Sequence, residues 1–123
     1  MTENQIKNYI KKEFKKIPDS KLLGIIYFGS RVKFTPEELK EISKNSDYDI
    51  GIIYDGEVPD FESPEDWDLF LWSKEKWLKG FALQVELARY AKILYDPEKI
   101  IHKQFKMIQE KILPHWLGYL KNF

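Results

Sequence analysis

The spacing of apolar positions changes several times along the chain, and each change marks an element. Ile6, Tyr9, Ile10 and Phe14 recur at helical spacing within residues 3–17, with Lys7, Lys11, Lys12, Lys15 and Lys16 mostly on the other side and Pro18 as the stop. Leu22 to Phe28 is apolar without alternation, the pattern of a strand buried on both faces, and it runs into Gly29-Ser30. Thr35-Pro36-Glu37-Glu38 offers a capping hydroxyl, a proline at the first helical position and a Glu three residues after the cap, which predicts a short helix over 36–44. Asp47 to Tyr54 begins acidic and becomes apolar, a second strand closed by the turn pair Asp55-Gly56. Residues 55–66 read as a solvated connection.

Trp67 to Trp72 reads as a third strand, and Ser73 caps a helix from about 74 to 91 with Trp77, Phe81, Val85 and Ala88 on one face. Lys92 to Tyr95 is a fourth, short strand. Asp96-Pro97 opens a last helix whose stripe is Ile100, Ile101, Phe105, Ile108 and Ile112, interrupted at Pro114. The fold class expected is α/β (α+β), a small mixed β-sheet flanked by helices. One domain is expected over 1–123, with a core at about 20–97, the N-terminal helix at 3–17 and a helical segment at 97–123.

Charge sharpens this picture. The 123 residues sum to zero net charge, which disfavours a general nucleic-acid binder, since such proteins carry an excess of Lys and Arg. The balance is uneven, however: between Thr35 and Asp68 there are twelve acids and two lysines. There is no cysteine, so disulfides and thiolate chemistry are excluded. No apolar run approaches the ~18 residues of a membrane span and no signal-peptide core opens the chain, so a cytoplasmic protein is expected. His102 and His115 have no partner at ligand spacing and read as structural or solvated. The aromatic tail from His115 to Phe123 reads equally as core or as a surface for a partner or a second copy.

The candidate chemistry lies where two strands end and begin. Asp47 and Asp49, at i and i+2 of a strand, leave the same face with Cα atoms roughly 6.5–7 Å apart. Two carboxylates aimed at one volume call for cations between them, and hard oxygen donors select two Mg²⁺ or Mn²⁺ ions. Gly29 lets backbone N–H groups approach a ligand, and Ser30 and Arg31 add a hydroxyl and a charge, which is what a phosphate needs. Metal ligands beside a phosphate cradle point to a nucleoside triphosphate.

In these residues the chain resembles the DNA polymerase β-like nucleotidyltransferase superfamily, and in size its minimal nucleotidyltransferases. The resemblance rests on Tyr27-Phe28-Gly29-Ser30-Arg31, Ser46-Asp47-Tyr48-Asp49-Ile50, Trp67-Asp68-Leu69-Phe70-Leu71-Trp72-Ser73 and Lys92-Ile93-Leu94-Tyr95-Asp96, and covers roughly residues 20–97. It departs in the sixteen positions from Ser30 to Ser46, longer than is usual, and in Val32-Lys33-Phe34 where an Arg-Gly is common.

The resemblance implies a metal-dependent enzyme that moves a nucleoside monophosphate, AMP from ATP, to an acceptor hydroxyl and releases pyrophosphate. Asp47, Asp49 and Asp68 would be the metal ligands and catalytic acids, with Gly29, Ser30, Arg31 and Ser46 on the nucleotide and its phosphates. Glu86 is the runner-up to Asp68, because a continuous helix over 74–91 would carry it away from the edge of the sheet. A HEPN-type protein partner, with this chain as the antitoxin, or a homo-oligomer would supply what so small a chain lacks. The alternative is a catalytically silent member that binds nucleotide or sequesters a toxin partner.

Overall fold

The computed structural model describes residues 1–29, 32, 48–112 and 114. The helix expected over 36–44 and the tail from His115 onward lie outside the described residues, as do Ser30, Arg31, Ser46 and Asp47. The described elements are α1 (Glu3–Phe14), β1 (Ser20–Phe28), β2 (Tyr48–Gly56), β3 (Trp67–Ser73), α2 (Lys74–Lys79), α3 (Leu83–Tyr90), β4 (Lys92–Tyr95) and α4 (Ile100–Met107). A π-helical turn at Ile108–Ile112 follows α4.

The four strands form one mixed sheet in the order β3-β2-β1-β4. β1 pairs antiparallel with β2 and β4, whereas β2 and β3 run parallel. As the unbroken apolar runs predict, both faces of the sheet are covered. One face carries α1: Ile6, Ile10 and Phe14 pack with Ile25, Ile50, Ile52 and Tyr54. The other carries the C-terminal helices, where Leu23, Ile26, Ile53 and Trp72 meet Trp77, Leu87, Ile101 and Phe105. No described helix is long and apolar enough to cross a membrane.

Two expected helix boundaries shift. α1 starts, as expected, where Thr2 and Gln5 form a reciprocal capping box, and ends at Phe14 with Lys15 as its C-cap, short of Ile17. The last helix starts at Ile100 rather than at Pro97, because Lys99 is left-handed (φ 61°). There the buried Asp96 carboxylate accepts the N–H groups of Ile101 (3.2 Å) and His102 (2.9 Å). His102 takes the structural part expected of it, its Nδ1 lying 2.6 Å from Asp96 Oδ2.

The largest correction concerns 74–91, which is two helices. Gly80 has φ 85° and ψ 155°, a backbone conformation open to glycine alone, and it ends α2. The carbonyl of Trp77, which accepts the Gly80 N–H at 3.2 Å, also accepts from the side-chain amides of buried Gln84 (2.9 Å) and of Gln104 (3.2 Å). Trp77, Phe81, Val85 and Ala88 still pack into one cluster, so the expected shared face survives the corner.

Candidate active site

Antiparallel pairing of β1 with β2 and parallel pairing of β2 with β3 bring three strand ends to one edge of the sheet. The end of β1 (Phe28) lies opposite Asp49 near the start of β2. In the next ladder Asp49 is the register partner of Asp68, near the start of β3. The Tyr48 N–H donates to the Asp66 carbonyl at 2.8 Å, which pins the two starts side by side. Register partners on adjacent strands are about 4.8 Å apart at Cα and send their side chains to the same face. Alternation places Asp49 with Gly51 and Ile53, and Asp68 with Phe70 and Trp72, on the face covered by α2, α3 and α4. Asp49 is half-buried and Asp68 exposed.

Gly29 is where the backbone turns away from this edge. Its φ is +86°, and a Cβ built on it would run into the Asp49 side chain, at 2.8 Å from Cγ. The glycine is therefore required twice, by its own backbone and by the carboxylate seated against it. Its carbonyl accepts the N–H of Val32 at 3.1 Å.

A pocket of about 160 Å³ opens here, lined by Gly29 and Asp49 together with Glu86 and Tyr90 of α3. Its remaining walls are apolar: Phe28, Leu83, Leu87 and Ala91. Leu83, Glu86, Leu87 and Tyr90 stand at i, i+3, i+4 and i+7 of α3, one helical face turned to the strand ends. That placement corrects the expectation that a helix over 74–91 carries Glu86 away from the sheet edge. The corner at Gly80 re-aims α3, so Glu86 and Asp49 face one volume. The i, i+3, i+4, i+7 spacing was visible in the sequence; the change of helix direction was not, because it depends on where Gln84 and Gln104 find the Trp77 carbonyl.

The structure thus brings together Gly29, Asp49 and Asp68 at one edge and adds Glu86. Ser30, Arg31, Ser46 and Asp47 lie outside the described residues. Carboxylate oxygens are hard donors that fit Mg²⁺ or Mn²⁺ and do not fit softer metals. Among the described residues no group of three His, Cys, Asp or Glu stands at metal-holding distance. Asp49 and Asp68 are the described residues whose register and chemistry fit such an ion.

No family model and no curated protein matches the chain. Among solved structures it is similar to a chain of a mutant MntA–HpeT toxin–antitoxin (19% identity, 99% of this chain and 98% of that one, TM-score 0.49). It is similar also to a chain of a toxin–antitoxin with AMP-PNP (20% identity, 99% and 98%, TM-score 0.49). A third is a chain of the tri-AMPylated Shewanella oneidensis HEPN toxin in complex with MNT antitoxin (17% identity, 98% of each chain, TM-score 0.46).

Proposed function

We propose that the chain is a metal-dependent nucleotidyltransferase that moves a nucleoside monophosphate, AMP from ATP, to an acceptor hydroxyl. One observation carries this reading: the β2–β3 register that sets Asp49 beside Asp68, at the edge where Gly29 turns over the Asp49 carboxylate. The motif resemblance at Gly29-Ser30, Ser46-Asp47-Tyr48-Asp49 and Asp68 supports the same reading. Parallel pairing that sets an acid near the start of each of two neighbouring strands is an unfavourable arrangement for a protein with no cation to place there, since like charges at one edge repel.

In the proposed reaction the acceptor oxygen attacks the α-phosphorus of the triphosphate. The bond from that phosphorus to the bridging oxygen breaks, pyrophosphate leaves with the bonding pair, and the acceptor's proton passes to a carboxylate. In this reading Asp68, exposed beside Asp49 in the ladder, would take that proton, and Asp49 would orient the phosphates. Gly29 and Ser30 offer backbone N–H groups and a hydroxyl to the β- and γ-phosphates, and Arg31 adds a positive charge. Bound Mg²⁺ or Mn²⁺, held by Asp47, Asp49 and Asp68, would neutralise phosphate charge. A HEPN-type protein, with this chain as its antitoxin, is the proposed partner.

The deciding measurement is transfer of label from α-labelled ATP, with Mg²⁺ or Mn²⁺, to this chain or to a HEPN-type protein encoded beside it. Asp49→Asn is expected to abolish transfer. Asp68→Asn is expected to abolish turnover while Glu86→Gln mainly alters KM; the reverse pattern makes Glu86 the third acid. Absence of metal-dependent nucleotide binding in the wild-type protein would sink the enzyme reading altogether.

A further inference from the structure

At the other end of β1 the surface changes sign. Nine residues of extended chain separate Ser20 from Gly29, roughly 30 Å at about 3.3 Å per residue, so this end is remote from the acid edge. The last turn of α1, the start of β1 and the end of β4 enclose an open groove of about 290 Å³. Lys11, Lys15 and Lys21 line it, Phe14 and Tyr95 form its apolar wall, and no acid is among the described residues that line it. The Lys11 ammonium stands 5.0 Å from the centre of the Tyr95 ring. Lys21 leans out to Glu98 (3.2 Å), with both side chains well exposed, a pairing that an incoming anion can displace at little cost. Three ammonium groups outweigh the roughly half negative charge of the α1 C-terminus.

A second observation comes from Ser20. It is only 7% exposed, lines the groove, and its hydroxyl has no hydrogen-bond partner among the described residues. Buried hydroxyls in folded proteins are nearly always paired, because an unpaired one loses its water for nothing. Strand alternation puts Ser20 and Leu22 on the α1 face, the side of Lys11 and Lys15, and the Ser20 oxygen, closed off as it stands, reaches the groove by rotation about one bond between three staggered positions. A hydroxyl turned to the side of Lys11 and Lys15, in a groove also lined by the Tyr95 ring, is complementary to a phosphate ester.

We propose that this groove binds the phosphate group of a small molecule through Lys11, Lys15, Lys21 and Ser20. Phe14 and Tyr95 shelter whatever the phosphate is attached to. The site is separate from the nucleotidyl-transfer edge and needs no divalent ion.

The test is binding in EDTA, with inorganic phosphate and AMP as probes, followed by thermal shift and by backbone amide shifts of residues 20–22. Saturating probe is expected to raise the melting temperature of the wild type by about 4 °C and to move those amides. The effect should fade as salt is added, because the lysines are solvent-facing. AMP binding more tightly than phosphate would show the aromatic wall in use, and equal binding would show that the phosphate suffices; both support the site. Lys11→Gln with Lys15→Gln is expected to weaken binding at least tenfold. Ser20→Ala is expected to raise the melting temperature without ligand while shrinking the ligand-induced rise by half or more, a split that a purely structural serine does not produce. No shift in the wild type, a response that survives the double lysine variant, or a Ser20→Ala protein with an undiminished response would each overturn the proposal. Asp49→Asn should bind both probes in EDTA like the wild type, and loss of binding there would place the probes at the acid edge instead.

Discussion

The two ends of β1 are made of the same strand and have opposite electrostatics. At its C-terminal end, Gly29 turns over Asp49, and the neighbouring strands contribute Asp68 across a parallel ladder. At its N-terminal end, Ser20 and Lys21 line a groove with Lys11 and Lys15 of α1, and no acid is among the described residues that line it. The zero net charge of the chain therefore hides a separation of charge along a single strand. A neutral sum says little about partners when roughly 30 Å separates the opposed parts, since that is about three Debye lengths at ordinary salt. Each end meets a ligand as a local field of its own sign.

The ends differ also in how their polar groups are held. The acid edge is built by register: the ladder places Asp49 beside Asp68 whatever the side chains prefer, and the apolar sheet behind it holds the register against repulsion. The basic end is built by long lysine side chains on a helix surface, with the buried Ser20 lining the same groove. A preorganised edge suits chemistry on a reacting group. A flexible cationic rim suits reversible capture of an anion.

This contrast can be broken at several places. The largest effect is expected from Asp49→Asn, which should lower nucleotidyl transfer by about 10³-fold, or about 4 kcal/mol of barrier, while the phosphate response at the far end stays intact. Label transfer and thermal shift on the same preparation check both halves; a joint loss would mean that the two ends are one site. Gly29→Ala comes next. A side chain at φ +86° costs about 1–2 kcal/mol, and displacement of the Asp49 carboxylate should remove transfer as well, so the melting temperature and the turnover fall together.

Gly80→Ala probes the corner that aims α3 at the acid edge. With φ 85° and ψ 155°, the substitution is expected to cost about 1–3 kcal/mol in chemical denaturation. It should raise KM for the nucleotide more than it lowers kcat, because Glu86 and Tyr90 wall the pocket rather than face the strand register. An unchanged KM would separate α3 from the site. The smallest effect, and the one of opposite sign, is Ser20→Ala: removing a buried hydroxyl without a partner should stabilise the ligand-free protein by about 1 kcal/mol.

Much of the fold was legible in the sequence, and the reasons are local. The uninterrupted apolar runs at Leu22–Phe28 and Ile50–Tyr54 demanded cover on both faces, and both faces are covered. The fourth strand spans Lys92–Tyr95 as its short apolar run between polar turns predicts. Gly29 and the acidic starts of β2 and β3 were legible as candidate chemistry because a glycine after a buried strand, and carboxylates where strands emerge, are unusual placements. The apolar pattern reads through the corner at Gly80 as helix interior, since Trp77, Phe81, Val85 and Ala88 keep helical spacing across it. An isolated glycine in a periodic run does not declare whether it is tolerated or used.

What the sequence determined by itself was therefore the set of elements and the residue types at their ends, because periodicity and turn chemistry act over a few residues. Tertiary structure alone decided which ends meet. Parallel pairing of β2 with β3 made neighbours of Asp49 and Asp68, nineteen positions apart, and the Trp77 carbonyl, answered by Gln84 and Gln104, turned Glu86 toward them. Long-range hydrogen bonds set these contacts. No local pattern encodes a register between strands that the chain brings together only on folding.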